Sequence, residues 1–325
     1  MSTQQAVLEW KELPDLVAGV GEVLISVSAA GVNRADLLQA AGKYPPPPGA
    51  STVLGLEVSG TVAALGPGAS GFDVGQPVCA LLAGGGYADQ VVVPAGLVMP
   101  IPEGVSVIDA AALPEVACTV WSNLVGAARL TAGEVVLIHG GASGIGTHAI
   151  QVARALGAVV AVTAGSPEKL QLCADLGAQI CISHRDQDFV EQIRNATEGA
   201  GSNVILDIMG ASYLSRNLSA LAVDGRLVII GMQGGTAAEL PIGALISKRL
   251  SVIGTALRGR PVEGAHGKAA VVAQVVDHVW PWLAAGTVRP IIGARLPIDQ
   301  AAQAHRLLES GEVSGKVLLT VPGPG

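Results

Sequence analysis

The sequence predicts an α/β protein: a doubly wound parallel sheet in the middle of the chain, with β-rich polypeptide ahead of it and a return to mixed structure behind it. Three observations predict this. Short aliphatic runs alternate with amphipathic stretches of helical length through the second and third quarters of the chain, the rhythm of repeated βαβ units with right-handed crossovers. Half of the residues are apolar and only 14% are charged, as suits a sheet covered on both faces. With 325 residues the chain also exceeds the roughly 250–300 that one core serves, so two domains are expected.

The elements follow in order. From Val23 to Pro102 short β-type runs are broken by Gly and Pro, as in VLISVSAAGVN, VSGTVAALGPGASGFDVGQPVCALL and YADQVVVPAGLVMPIP, an all-β pattern with turns. IDAAALPEVACTVWSNLVGAARL then reads as helical. VVLIHGG, VVAVTAG, QICIS, SNVILDIMG and RLVIIG read as strands, and GTHAIQVARALG, PEKLQLCADLG, FVEQIRNATEG and LSRNLSALAVDG as the helices between them. LSVIGTALR supplies a further strand, residues 265–285 read as one long helix, and ARLPIDQAAQAHRLLESGEVSGKVLLTV reads as a short helix between two strands. Pro45 to Pro48 form a stiff, polyproline-like step.

Composition excludes several functions. A net charge of −7 with 3% aromatics offers neither the positive field nor the stacking residues that nucleic acid requires. The first twenty residues carry Glu, Lys, Asp and Pro among the apolar ones, unlike a signal peptide, and no run of about 18 uncharged apolar residues occurs. A cytoplasmic protein outside the membrane is expected. Cys79, Cys118, Cys173 and Cys181 contain no Cys-x-x-Cys pair and are expected to be reduced thiols.

The strongest chemical signal is VVLIHGGASGIGTHAIQVARALG, a glycine-rich turn between a strand and a helix. Gly141, Ala142, Ser143, Gly144, Ile145 and Gly146 form the turn, whose glycines would allow close approach of a pyrophosphate while amides at the helix start bind the anion. The next strand ends in Gly165-Ser166-Pro167-Glu168-Lys169, with no acid closing it to hold the ribose 2′-hydroxyl of NAD. Gly165 and Ser166 leave room, and Lys169 with His184 and Arg185 supplies positive charge, for the 2′-phosphate of NADPH. Lys169 and His184 equally suit solvated surface positions, and Glu168 suits a helix start. The turn is not a nucleophile elbow, because Ile145 stands where Gly is needed, and Gly311 to Lys316 is not a P-loop, because the spacing is short and Val317 replaces Ser or Thr. A short-chain dehydrogenase would need Tyr-x-x-x-Lys, but Asn217 follows Tyr213.

The β-rich first third, the central glycine turn and the C-terminal return resemble the medium-chain dehydrogenase/reductase superfamily along the whole chain. Gly31-Val32-Asn33-Arg34-Ala35-Asp36-Leu37, Gly42-Lys43-Tyr44-Pro45-Pro46-Pro47, the Ser143-containing turn and Thr255-Ala256-Leu257-Arg258 carry a closer resemblance to the zeta-crystallin-like, zinc-independent quinone oxidoreductases, nearest the p53-inducible NADPH quinone oxidoreductase branch. The resemblance implies a Rossmann domain, residues 118–260, inserted in a GroES-like catalytic domain made of residues 1–117 and 261–325. It also implies no metal: Asn33, Leu56 and Glu115 stand where zinc members of the superfamily carry ligands, and one carboxylate cannot hold zinc. It further implies that Gly231, Met232 and Leu257 border the nicotinamide, that Lys316 returns to the cofactor, and that a homodimer forms by edge pairing near residues 250–257.

Such a site would polarise its acceptor with hydrogen bonds alone, which suits quinones because their conjugated system already accepts negative charge. Asn33 is the expected donor to the substrate oxygen, and Tyr44 is expected beside nicotinamide and substrate. Asn33 also fits a turn residue bonded to backbone, and Tyr44 an amphipathic lid over the prolines. Asp36 and Glu57 read as hydrogen-bonded structural acids and His139 as a satisfied core imidazole. The expected activity is NADPH-dependent reduction of a small quinone. An enoyl-thioester reductase and a non-catalytic, crystallin-like NADPH-binding protein are the alternatives.

Overall fold

In the computed structural model the structure describes residues 8–322, which divide into two compact units. One comprises residues up to 118, 257–286 and from 290 onward; the other comprises 119–256 and 287–289. The second boundary thus falls after Ala256, ahead of the expected residue 260. Residues 287–289 join the second unit because the Gln151 side chain both donates to Arg289 O (3.0 Å) and accepts from Arg289 N (2.9 Å).

The chain begins the first unit with β1 (Glu22–Val32), α1 (Arg34–Ala40), β2 (Glu57–Leu65), β3 (Pro77–Leu81), β4 (Gln90–Pro94), β5 (Val98–Pro100), α2 (Val107–Ala110) and α3 (Pro114–Trp121), the last followed by a π-helical turn, Ser122–Ala127. The second unit alternates β6 (Val135–His139), α4 (Gly144–Ala155), β7 (Val159–Ala164), α5 (Pro167–Asp175), β8 (Ile180–Ser183), α6 (Phe189–Ala196), β9 (Ser202–Asp207), α7 (Leu214–Ala220), β10 (Leu221–Ile229), α8 (Ile242–Lys248) and β11 (Ser251–Gly254). The first unit resumes with α9 (Lys268–His278), α10 (Trp280–Ala284), β12 (Ile292–Pro297), α11 (Ala301–Ser310) and β13 (Lys316–Thr320).

The second unit's sheet runs β11-β10-β9-β6-β7-β8, with every pairing parallel. This is the doubly wound order, whose direction reverses beside β6, and ligands bind at the carboxyl ends of strands at such a reversal. One face is sealed by Leu137, Ala161, Ile205 and Leu227 against Phe189, Ile193 and Leu218, all buried. In the first unit the sheet runs β12-β13-β1-β2-β3-β5, with β4 also on β1. β1 alternates, burying Val23, Ile25, Val27 and Ala29, so one face of the strand makes the core.

Three local expectations are corrected. The β-rich first third also holds α1, and α8 precedes β11; both helices have only seven residues. Leu221 to Asp224 do not continue the helix ending at Ala220 but open β10, which has a register break before Arg226. The single helix expected over 265–285 is two, because Pro281 lacks an N–H and fixes its φ, and α10 restarts around it. Among the described residues no helix is long and apolar enough to cross a membrane.

Candidate functional site

Within the second unit, the carboxyl ends of successive strands gather most of the residues expected at the cofactor. After β6 the chain turns at Gly140, whose φ is +70°. Gly141 is tucked so closely that a Cβ there would lie 2.8 Å from Val162 Cβ and 2.9 Å from Cys173 Sγ, and a Cβ on Gly146 would overlap Gly140 O. Both glycines are therefore required by packing of the turn onto the sheet, which holds the backbone of Ala142 to Ile145 in place. Ser143, the departure from the usual glycine fingerprint, caps α4: its Oγ accepts from Gly146 N at 3.0 Å. Gly144 and Ile145 open the helix, where N–H groups have no intrahelical acceptor and attract anions.

At the ends of β7 and β8 a second cluster forms. A Cβ on Gly165 would lie 2.9 Å from His184 Nε2 and 3.4 Å from Arg185 Nε, so an imidazole and a guanidinium close on the glycine expected to make room for a 2′-phosphate. Ser166 caps α5, its Oγ accepting from Lys169 N at 3.4 Å. Glu168 is bonded to the Ser166 hydroxyl, which holds its carboxyl below the usual range. It belongs to the helix start. Gly231 lies against Ile208 beyond β10, and Met232 beside it is 60% exposed. These residues fit a dinucleotide: backbone packed where a side chain cannot stand, a helix start, and an imidazole and a guanidinium at a neighbouring strand end.

Two further residues expected at the cofactor, Leu257 and Lys316, lie in the first unit. Leu257 is buried there. Lys316 is committed within that unit: its ammonium donates to Glu57 Oε1 (2.6 Å), Asn33 Oδ1 (2.7 Å) and Val32 O (3.1 Å). All three donors of an ammonium are then used within the cluster.

This first-unit cluster is built on strand ends. Glu57 opens β2 and Lys316 opens β13; both are buried. Asn33 precedes α1, its N–H donating to Asp36 Oδ2 (2.8 Å) and its side-chain Nδ2 to Glu57 Oε1 (2.8 Å). Glu57 Oε2 accepts from Glu115 N at 2.9 Å. Asp36 accepts from Gly55 N and Tyr87 Oη, and burial pushes its carboxyl up to about 6 despite those bonds. Tyr44 is half-buried under the Arg258 guanidinium, 5.2 Å from its ring centre, and desolvation raises its phenol further above neutrality. It therefore stays a donor. Arg258, buried among neutral acceptors of Ala83, Tyr44 and Gln39, was visible in the sequence only as part of a motif.

Glu57 and Lys316 form a buried ion pair between positions far apart in the sequence. Each is a lone charge heading an otherwise uncharged strand, a pattern that asks for an opposite charge nearby.

In the second unit, His139 Nδ1 meets Thr163 Oγ1 (3.1 Å) and Nε2 meets Asn217 Oδ1 (2.8 Å). Burial lowers His139 and His148 to about 4, and the half-buried His305 of the first unit moves the same way. On unfolding these imidazoles regain ordinary values, so stability present above pH 6.5 is lost as pH falls toward 4. Asp36 has the opposite sign, since its raised value penalises the fold above pH 6 and relieves it below. His139 and His148 outweigh it, with His305 discounted for exposure. Between pH 6 and 4 a net uptake of about one to two protons is expected on unfolding, a slope of roughly 1.4–2.7 kcal/mol per pH unit, readable from urea midpoints across that range.

Both units resemble known proteins. Residues 19–103 match the alcohol dehydrogenase GroES-like domain and residues 144–270 the zinc-binding dehydrogenase family. The quinone oxidoreductase of Rattus norvegicus is 31% identical over 300 residues, covering 92% of this chain and 88% of that protein. The chain belongs to the medium-chain dehydrogenase/reductase superfamily. Within it, the quinone oxidoreductase of Escherichia coli, solved with NADPH, superposes with a TM-score of 0.85 at 28% identity over 95% of this chain and 94% of that one. A mycocerosic acid synthase-like polyketide synthase of Mycobacterium tuberculosis is 33% identical over 322 residues, 98% of this chain but only 15% of that protein.

The zinc for which the matched family is named does not fit the residues present. Asn33 is an amide held by Glu57 and Lys316, Leu56 is a buried hydrocarbon, and among the described residues no three His, Cys, Asp or Glu side chains converge as a metal site.

Proposed function

We propose that the protein is an NADPH-dependent quinone oxidoreductase that works without zinc. The observation that carries this reading is the Asn33–Glu57–Lys316 cluster: a neutral carboxamide, fixed by a buried ion pair, stands where the superfamily's zinc members carry a ligand. When bound, NADPH supplies hydride to the acceptor. The backbone turn from Gly141 to Gly146 would hold the pyrophosphate, and Gly165, Ser166, Lys169, His184 and Arg185 the 2′-phosphate. Asn33 would donate to the quinone oxygen on which charge develops, and the phenol of Tyr44 would border the same acceptor. Addition of hydride to a quinone also requires one proton from solvent to complete the hydroquinone. A conjugated diketone spreads the incoming charge, so one or two neutral donors suffice.

Turnover tests it. NADPH oxidation is followed with benzoquinone, naphthoquinone and crotonyl-CoA. Turnover of the quinones is expected. Turnover of the thioester alone would replace the reading with an enoyl-thioester reductase, and NADPH binding without turnover of any acceptor would favour a crystallin-like binding role. For the cofactor, Arg185→Ala is expected to raise KM for NADPH about tenfold while leaving NADH unchanged, the loss of one charge-assisted contact. Equal losses with both cofactors would remove Arg185 from the phosphate site.

A cytoplasmic setting suits an NADPH-consuming protein whose four cysteines are free thiols. A homodimer joined along β11 is also proposed. That strand ends its sheet, pairing with β10, and a second copy would cover its outer edge. Sedimentation velocity returning a monomer at micromolar concentration would discard it.

A further inference from the structure

We infer that Lys316 is a positioning residue for the reduction: anchored to Glu57, its ammonium fixes and polarises the Asn33 carboxamide that donates to the acceptor oxygen. The inference rests on the role proposed above for Asn33. It starts from how the amide is held. Asn33 Oδ1 accepts from Lys316 Nζ at 2.7 Å, and Asn33 Nδ2 donates to Glu57 Oε1 at 2.8 Å. Turning the amide over would set its oxygen against a carboxylate oxygen and its NH2 against an ammonium. Two like-polarity clashes would replace two charge-assisted bonds, so one orientation is locked.

That orientation has a chemical consequence. A cation on the amide oxygen draws electron density from the nitrogen and strengthens its N–H groups as donors, the mutual polarisation of a hydrogen-bonded chain in a dry environment. One N–H is held by Glu57. The other has only Gly31 O, at 3.4 Å, beyond the usual range for a good bond, so it is the donor the site can offer. Of the three side chains only Asn33 is partly exposed, while Lys316 and Glu57 are 5% and 0% exposed. The ion pair therefore acts through Asn33 and not on the substrate itself. Gly31 is part of the same arrangement, because a Cβ there would lie 2.6 Å from Ala111 O and would overlap Glu57 Oε1. The carboxylate reaches Asn33 only because residue 31 has no side chain.

The test is a double-mutant cycle on the 325-residue chain, reading quinone turnover with saturating NADPH and, separately, the Kd of NADPH from its fluorescence. Asn33→Ala is expected to lower kcat about 100-fold, as for loss of one oxyanion donor. Lys316→Met is expected to lower it about 10- to 100-fold through misplacement of that donor, with the NADPH Kd unchanged and with partial rescue in Lys316→Arg. In the Asn33→Ala background, Lys316→Met should then change kcat by less than about twofold, because coupled residues are non-additive. Where Lys316→Met does not fold, Glu57→Gln takes its place in the cycle with the same expectation. If Lys316→Met, or its substitute, lowers kcat as much without Asn33 as with it, or if the NADPH Kd weakens in step with kcat, the positioning role is wrong while the reading of Asn33 stands. Wild-type turnover by Asn33→Ala would sink that reading, and this inference with it.

Discussion

Lys316→Met is expected to lower the unfolding free energy by about 3–5 kcal/mol, because it strands the Glu57 carboxylate as an unpaired charge in the interior. The pair is short, 2.6 Å, and its two side chains are 5% and 0% exposed. Water cannot replace the lost ammonium without opening the sheet. Glu57 would keep two of its partners, Asn33 Nδ2 and Glu115 N, which satisfy lone pairs but not charge. Removing both charges, as Lys316→Met with Glu57→Gln, should recover a good part of the loss, since neutral replacements of buried pairs are often tolerated. Urea unfolding of the three proteins decides it. A single-variant loss below about 1 kcal/mol would show that the pair is better hydrated than its burial implies.

That grouping also marks where sequence reading stops. Lys316 is 259 residues from Glu57 and 283 from Asn33, and no local pattern couples positions so far apart. Asn33, Glu57 and Lys316 can each be picked out, but nothing in GKVLLTV says which partner its strand meets. The second unit was more legible. Its strands are continuous aliphatic runs, its helices keep one apolar face, and Ser143, Ser166 and Asp188 cap α4, α5 and α6, so start signals and periodicity agree. The misses have local causes. α1 and α8 are about two turns long, too short for helical periodicity to stand out. At Leu221 the helical text runs on into residues that the neighbouring strand β9 claims by pairing, a tertiary override of local preference.

The second large effect is expected at the glycine turn after β6. Gly146→Ala adds one methyl group to α4, where alanine is otherwise the better helix former. It should nevertheless be damaging, because the new Cβ would overlap backbone atoms of Gly140 and Gly141, and backbone cannot swing aside as a side chain does. The turn and the helix must separate, at a cost of roughly 1–3 kcal/mol in stability. The amides of Gly144 and Ile145 would move with the helix start. NADPH affinity is expected to fall about 100-fold, equivalent to ~2.7 kcal/mol, measured as Kd by fluorescence titration. Gly126→Ala, with nothing within 4 Å of its added Cβ, is the control and should bind as wild type. Unchanged affinity in Gly146→Ala would mean that the turn is looser than its packing indicates.

The first unit is discontinuous in sequence, and that has a consequence for how the chain is made. β13 pairs with β1 from Ala29↔Thr320 to Val32↔Val317, so the earliest strand of the sheet waits for the last. During vectorial synthesis the ribosome releases β6 to β11 as an uninterrupted stretch whose strands pair only with one another. The emerged N-terminal half-sheet meanwhile exposes an unpaired edge and a carboxylate with no counter-ion. Excising β13 should therefore cost the fold far more than its five residues suggest, because it strips the β1 edge and the Glu57 carboxylate of their partners at one stroke.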